Sequence, residues 1–205
     1  VPPEGYQWSM DNFASDLKTF MDKVGLQKVH LVGIKLGGRI AIHFAREYPD
    51  RLHSVTLVTT PMTLNTLPND TRDNRPKTME GKKGVERWAR NSMKERLGDV
   101  SPEMMEWWIK LYCSHSPRVV SEIYDLAWWT DESTLLSNIR VPALVMDSNV
   151  HQPLDKIKKW QTLIPGSKLA AIPGTNEGRQ ISASMPGACV SALLEFLDEL
   201  SHKKQ

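Results

Sequence analysis

The chain has 205 residues, of which 40% are hydrophobic, and this length and composition suit one globular domain with a sizeable core. Its 26 basic and 24 acidic residues leave a net charge of +2, which excludes a strongly basic surface for nucleic acid. No apolar run approaches the roughly 20 residues needed to span a bilayer, and the first residues are not a signal peptide. We therefore expect a cytoplasmic protein without nucleic-acid or membrane partners. The chain begins with Val rather than Met, which leaves an upstream targeting signal open.

Cysteine usage and ligand spacing bear on metals and cofactors. Cys113 and Cys189 are far apart in sequence, a pattern that favours neither a disulfide framework nor a thiolate metal site. No His, Asp and Glu set has metal-ligand spacing, and neither a P-loop nor a G-x-G-x-x-G motif accompanies Gly37 and Gly38. The sequence predicts no metal and no cofactor.

The chain opens on a helix and continues with strand and helix patterns in alternation. Ser9 is a predicted N-cap, and apolar residues then recur at helical spacing until Gly25. Four short apolar segments, each feeding a helix, predict a parallel βαβ series. They are Val29–Gly33, Ser54–Thr59, Ala143–Met146 and Lys168–Ile172.

The middle of the chain has a different sequence pattern. From Pro61 to Arg140 no strand pattern is found, and the residues instead predict polar helical segments separated by prolines. Ser101 caps one of these predicted helices. The region holds five of the seven tryptophans, which either pack it against the body or line a pocket for an apolar or ring-bearing ligand. With Leu36, they form the predicted ligand-binding set: Trp88, Trp107, Trp108, Trp128 and Trp129.

A sharp turn from a buried strand into a helix is predicted between Val29 and Gly38, with Lys35 at its tip. The frame Gly33-x-Lys35-x-Gly37 matches the G-x-S-x-G nucleophile elbow except at its central residue. The helix and strand patterns on both sides of this frame also match, as do an Ile-x-x-Pro sequence at 139–142 and a Pro-Gly at 173–174. On these features the chain resembles the α/β-hydrolase family, in particular its lidded esterases, enol-lactonases and C–C hydrolases.

This resemblance implies an α/β fold with a parallel sheet and a helical lid insertion. The expected parts are the elbow half of the core at 1–64, the lid at 65–137 and the C-terminal part of the core at 138–205. The family places several strands before the elbow, whereas here the elbow block begins almost at once. We therefore expect only the later strands, with the elbow strand exposed at an edge that the earlier strands of the family would cover.

The resemblance also implies a Ser-His-acid triad above the sheet, and this chain departs from it at every position. Lys35 replaces the nucleophile and cannot form an acyl ester. At the acid position the preferred register places His151, with Asp147 and Asp155 as alternatives. At the histidine position, counting forward from the Pro-Gly gives Glu177.

Counting back from Pro186 gives Arg179 or Gln180 instead, and no histidine lies between His151 and His202. Lys35, His151 and Glu177 are therefore the predicted triad-equivalent residues. A Lys35–Glu177 ion pair would fill the site without any reaction.

Two functions follow from this pattern. In the first, the protein binds a small apolar or aromatic molecule without serine hydrolysis, or associates with a second copy or with an active homologue. In the second, it is an enzyme that uses Lys35, His151 and Glu177 for lyase, cyclase or hydrolase chemistry on a small organic substrate, because burial at a helix N-terminus can leave an amine neutral and reactive. A purely structural role would need a pocket filled by side chains.

Overall fold

The computed structural model describes residues 2–62, 83–148, 153–173 and 179–202. Within these ranges a four-stranded parallel sheet forms the centre of the molecule, in the order β1-β2-β3-β4. Its strands are β1 (Val29–Ile34), β2 (Leu52–Val58), β3 (Ala143–Ser148) and β4 (Lys168–Ile172). The four predicted strands and their parallel α/β arrangement are confirmed.

The described helices alternate with the strands, except that three helices follow one another between β2 and β3 and two follow one another after β4. They are α1 (Met10–Lys23), α2 (Leu36–Glu47), α3 (Gly84–Leu97), α4 (Pro102–Cys113), α5 (Pro117–Trp129), α6 (Leu154–Thr162), α7 (Ile181–Ser184) and α8 (Pro186–His202), with short 3₁₀ helices at Pro49–Arg51 and Ser133–Asn138. None of them is long and apolar enough to cross a membrane.

Local capping chemistry sets the helix ends as predicted. The Ser9 hydroxyl accepts the Asn12 N–H at 3.0 Å and starts α1, and Gly25 follows that helix with a φ of +77°. The Ser101 hydroxyl accepts the Met104 N–H at 3.2 Å and starts α4. Both caps are confirmed.

Three apolar clusters hold the elements together. One side of the sheet packs on α1, α2 and α6 through residues such as Met21, Phe44 and Ile157, and the other side packs on α8 through Cys189 and Phe196. The third cluster joins α3, α4 and α5 to one another, and we call these three helices the helical insertion. The predicted boundary at 64 lies outside the described residues, and that at 137 falls within the second 3₁₀ helix.

Strand β1 forms one edge of the described sheet, as expected. Its Val32 and Ile34 side chains are 42% and 38% exposed, which is unusual for apolar residues of a parallel strand. They border an apolar groove of about 140 Å³ whose other side is formed by residues of α8 such as Cys189 and Leu193. Within the described ranges, the elbow strand therefore presents a partly exposed apolar surface.

Candidate functional site

The turn between β1 and α2 has the strained geometry that the sequence predicts. Lys35 has φ 54° and ψ −117°, a conformation that side-chain-bearing residues rarely adopt. Its N–H donates to the Val58 carbonyl at 3.1 Å, and its own carbonyl accepts the Gly38 N–H at 3.0 Å. Strain of this kind costs on the order of 1–3 kcal/mol and persists only where the surrounding structure holds it.

Glycines allow the close packing around this turn. A Cβ atom on Gly33 would lie 2.5 Å from the Gly37 carbonyl oxygen, and one on Gly38 would lie 1.9 Å from the Thr60 hydroxyl. A Cβ on Gly37 would meet no atom within 4 Å. The crowded positions are therefore Gly33 and Gly38, and the second glycine of the elbow frame itself has open space.

The Lys35 ammonium is partly buried above the carboxyl ends of the strands, where it donates a hydrogen bond to the Arg179 carbonyl. Burial lowers the pKa of Lys35 to about 8. The negative charge of Asp147 opposes this shift, whereas the positive charges of Arg96 and Arg179 add to it. At neutral pH the amine is therefore mostly charged, but a much larger fraction of it is neutral than in an ordinary lysine.

Of the two described candidates for the acid position, Asp147 is the one whose charge acts on Lys35. It lies near the end of β3, is 6% exposed, and accepts the Ser148 N–H at 2.8 Å. Asp155 is exposed in the first turn of α6. His151 and Glu177 lie outside the described residues, so their placement and the Lys35–Glu177 pair stay predictions.

Arg96 of α3 was not among the predicted site residues. Its guanidinium lies 4.5 Å from the Trp88 ring centroid and donates to the hydroxyls of Tyr112 at 2.8 Å and Tyr124 at 2.5 Å. A sequence signal did exist. The buried residues of α3 recur at 85, 88, 89, 93 and 97, so positions 92 and 96 complete its inward stripe.

The segment that follows β4 joins Arg96 to Lys35. The Arg179 N–H donates to the Glu95 carbonyl at 3.1 Å, and the Gln180 N–H donates to the Arg96 carbonyl at 2.8 Å. The Arg179 side chain pairs with the Glu95 carboxylate. Thus residue 179 accepts from the Lys35 ammonium while it is held by the last turn of α3.

The structure separates the five predicted tryptophans. Trp88 and Trp128 are buried, at 7% and 3% exposure, and Trp108 packs against the core of the insertion. Trp107 and Trp129 are 55% and 64% exposed. These five side chains therefore do not form a single wall, and Leu36, also in the predicted set, is partly buried at the start of α2.

A buried ionic cluster ties α2 to the end of the insertion. Arg39 is fully buried and donates to the carboxylate of Glu132, which is 1% exposed. It also donates to the Ala127 carbonyl at 2.5 Å and the Thr130 carbonyl at 2.6 Å. His43 approaches the same carboxylate, with 3.5 Å between Nε2 and the nearer oxygen. This cluster fixes the elbow helix relative to α5.

Within the described ranges, no three His, Cys, Asp or Glu side chains come together in a way that could hold a metal ion. The chemistry available in the described part of the site is thus that of an amine, two guanidinium groups and a buried carboxylate.

Comparisons with known proteins agree with this architecture. The crystal structure of a bromoperoxidase from Bacillus anthracis has a TM-score of 0.80 and 22% identity, covering 96% of this chain and 76% of that one. A thermophilic esterase from Thermogutta terrifontis has a TM-score of 0.78 and 26% identity, covering 98% and 75%.

Among curated proteins, the 2-hydroxy-6-oxo-6-phenylhexa-2,4-dienoate hydrolase of Comamonas testosteroni is 44% identical over 45 residues, which is 22% of this chain. The matched stretch spans only 16% of that relative's length, and 24% in a Bacillus subtilis relative. A family model described as alpha/beta hydrolase fold matches residues 1–107, more than half of the chain. With the elbow geometry and the parallel sheet, this match shows that the chain belongs to the α/β-hydrolase fold family.

Proposed function

We propose that this protein binds a small apolar or aromatic molecule beneath its helical insertion and does not carry out serine hydrolysis. The observation that carries the proposal is the position of Lys35, whose backbone has the elbow geometry while its side chain offers an amine where the mechanism needs a hydroxyl. An amine cannot form the acyl ester on which serine hydrolysis depends.

The histidines that the structure describes support the same proposal. His30 shares a hydrogen bond of 2.8 Å with Ser54, and its ring lies tilted against that of His53 with 5.1 Å between the ring centroids. Both histidines lie at the amino ends of β1 and β2, the opposite end of the strands from Lys35. His43 is engaged by Asp11 and Glu132. None of these three histidines is placed to take a proton from the elbow side chain.

The aromatic content of the insertion supports a ring-binding role. Trp88, Tyr112 and Tyr124 pack around one another in the core of the insertion, with ring centroids 5.2–5.3 Å apart for the pairs that include Trp88. Aromatic side chains that line a pocket favour apolar, ring-bearing ligands. Association with a second copy or with an active homologue belongs to the same proposal, since a protein without its own hydrolysis can serve as a partner.

Hydrolysis provides the direct test. We expect p-nitrophenyl acetate turnover by the wild-type protein to equal that of the Lys35→Ala variant, since no serine nucleophile occupies the elbow. Lys35→Ser should also stay inactive, because a serine without its general base loses several orders of magnitude in rate. Turnover that disappears in Lys35→Ala would contradict the proposal and support catalysis at this residue.

The second candidate function is amine catalysis, and the pKa of about 8 for Lys35 is the observation that favours it. A neutral amine adds to a carbonyl to give a carbinolamine, which loses water to form an imine. In this reaction the substrate would be a small aldehyde or ketone, and Lys35 at the elbow would be the amine that attacks it.

Because the folded-state pKa of Lys35 is lowered from 10.5 to about 8, its neutral form becomes the major one above pH 8. We expect labelling of Lys35 by an amine-directed reagent to rise through pH 8 and to level off above it, as followed by peptide mass spectrometry. Asp147→Asn should move this midpoint lower, because it removes a charge that favours the ammonium form. A midpoint near 10.5 would contradict the burial of this amine.

If amine catalysis operates, borohydride should also trap a carbonyl substrate covalently on Lys35 of the wild-type protein, and the Lys35→Met variant should not be labelled.

A further inference from the structure

The ionic contacts of Arg96 are incomplete in the described part of the chain. In the described ranges its guanidinium donates hydrogen bonds to the hydroxyls of Tyr112 and Tyr124, and no described carboxylate pairs with it. The side chain is nevertheless partly buried among Trp88, Tyr112 and Tyr124. A guanidinium taken out of water costs free energy that neutral hydroxyls offset only in part, so the site favours an anion.

A second polar group lies on the same face of α3. The Ser92 hydroxyl is one turn before Arg96 and is buried without a hydrogen-bond partner in the described ranges. Residues four apart on a helix are neighbours, so this hydroxyl can contribute a donor to an anion held by Arg96. An unsatisfied buried hydroxyl is costly, and a ligand oxygen would remove that cost.

The charges around Lys35 indicate how much negative charge the site accepts. The positive charge of Arg179 is paired with the negative charge of Glu95, and the negative charge of Asp147 acts on the positive charge of Lys35. The positive charge left uncompensated among these described residues is that of Arg96. A single negative charge balances it, and a planar carboxylate fits the fork of a guanidinium.

We propose that Arg96 and Ser92 form a receptor for the carboxylate of the bound molecule, so that the ligand is a small organic monocarboxylate. This inference rests on the proposed function, because it assigns a chemical class to the molecule bound beneath the insertion. Bound through its carboxylate, such a ligand would lie next to the segment that joins Arg96 to Lys35. The aromatic side chains around Arg96 would contact the apolar part of the ligand.

Calorimetric titration at pH 7 with benzoate, its neutral isostere benzamide and phenyl phosphate tests the receptor. We expect benzoate to bind at least about tenfold more tightly than benzamide, because hydrogen bonds to charged groups are the stronger ones. Benzoate should also bind more tightly than phenyl phosphate, because its single charge balances that of Arg96, whereas phenyl phosphate is largely a dianion at pH 7. Arg96→Gln should weaken benzoate binding by roughly 10- to 100-fold and benzamide binding by a much smaller factor. Ser92→Ala should weaken benzoate binding by a smaller factor.

The matched control is Arg90→Gln, which removes the same charge from α3 at an exposed position paired with Glu86 and Glu106. It should leave benzoate binding unchanged, and an equal loss in this variant would overturn the proposal in favour of general electrostatic attraction. Arg96→Lys, which keeps the charge but loses the planar fork, provides a second variant if Arg96→Gln does not fold. It should lose part of the benzoate affinity.

The wild-type titrations separate this inference from the proposed function. Equal binding of benzoate and benzamide would overturn the carboxylate receptor and leave ring binding in place. Tighter binding of phenyl phosphate than of benzoate would overturn the assignment of a monocarboxylate. If none of the three probes binds, both the receptor and the proposed binding of small aromatic molecules fail.

Discussion

Replacing Arg39 by methionine should destabilise the protein by roughly 3–5 kcal/mol, because it takes the arginine partner away from the buried Glu132 carboxylate. It also removes the donors to the Ala127 and Thr130 carbonyls. Urea unfolding should show a lower midpoint with an unchanged slope, as expected when stability changes and the exposed surface does not.

The matched control for this change is Arg46→Met on the same helix. Arg46 pairs with Asp11 and Glu47, which are 58% and 48% exposed, and such surface pairs contribute about 0–1 kcal/mol. Arg39→Met combined with Glu132→Leu should recover much of the loss, since neither charge then remains buried. A loss below about 1 kcal/mol in Arg39→Met alone would contradict the role assigned to the cluster.

Gly33→Ala should be destabilising by about 3 kcal/mol, because its Cβ would meet backbone atoms of the next helix that cannot rotate away. The nearest are the Gly37 carbonyl oxygen at 2.5 Å and the Gly38 Cα at 2.6 Å. For a domain of this size, that loss corresponds to a melting temperature lower by about 6–12 °C in a calorimetric or circular-dichroism scan.

Gly37→Ala is the internal control, since it adds the same methyl group within the same turn. That methyl group meets open space, and alanine is preferred to glycine in a helix, so the variant should be neutral or up to about 1 kcal/mol more stable. Equal losses at the two positions would contradict the packing described for the elbow.

The strands, caps and elbow could be predicted from sequence because each depends on residues close together in the chain. The Ser9 and Ser101 caps act over three residues, and the elbow spans five. The Arg39 cluster could not be predicted in this way, because its carboxylate partner lies 93 residues further along the chain. Such a pairing follows from the path of the insertion, which local periodicity does not determine.

The tryptophans show a prediction that local geometry could have narrowed. Consecutive residues on a helix point about 100° apart, so of two adjacent tryptophans only one can face the same core squarely. The pairs Trp107–Trp108 and Trp128–Trp129 divide in this way, with the second residue inward in one pair and the first in the other. Arg96 was not predicted either. It lies on the inward-facing stripe of α3, but a charged residue is not counted when that stripe is identified from apolar residues.

The hydrogen bonds that hold residues 179 and 180 against α3 link proton binding at the elbow to the position of the insertion. The carbonyl that accepts from the Lys35 ammonium belongs to a residue fixed by the Glu95 carbonyl, so a shift of α3 changes the stability of the charged amine. By thermodynamic reciprocity, a ligand that draws α3 to a new position takes up or releases a fraction of a proton. For such a ligand, affinity would depend on pH near 8, and the insertion and the elbow would be two coupled sites.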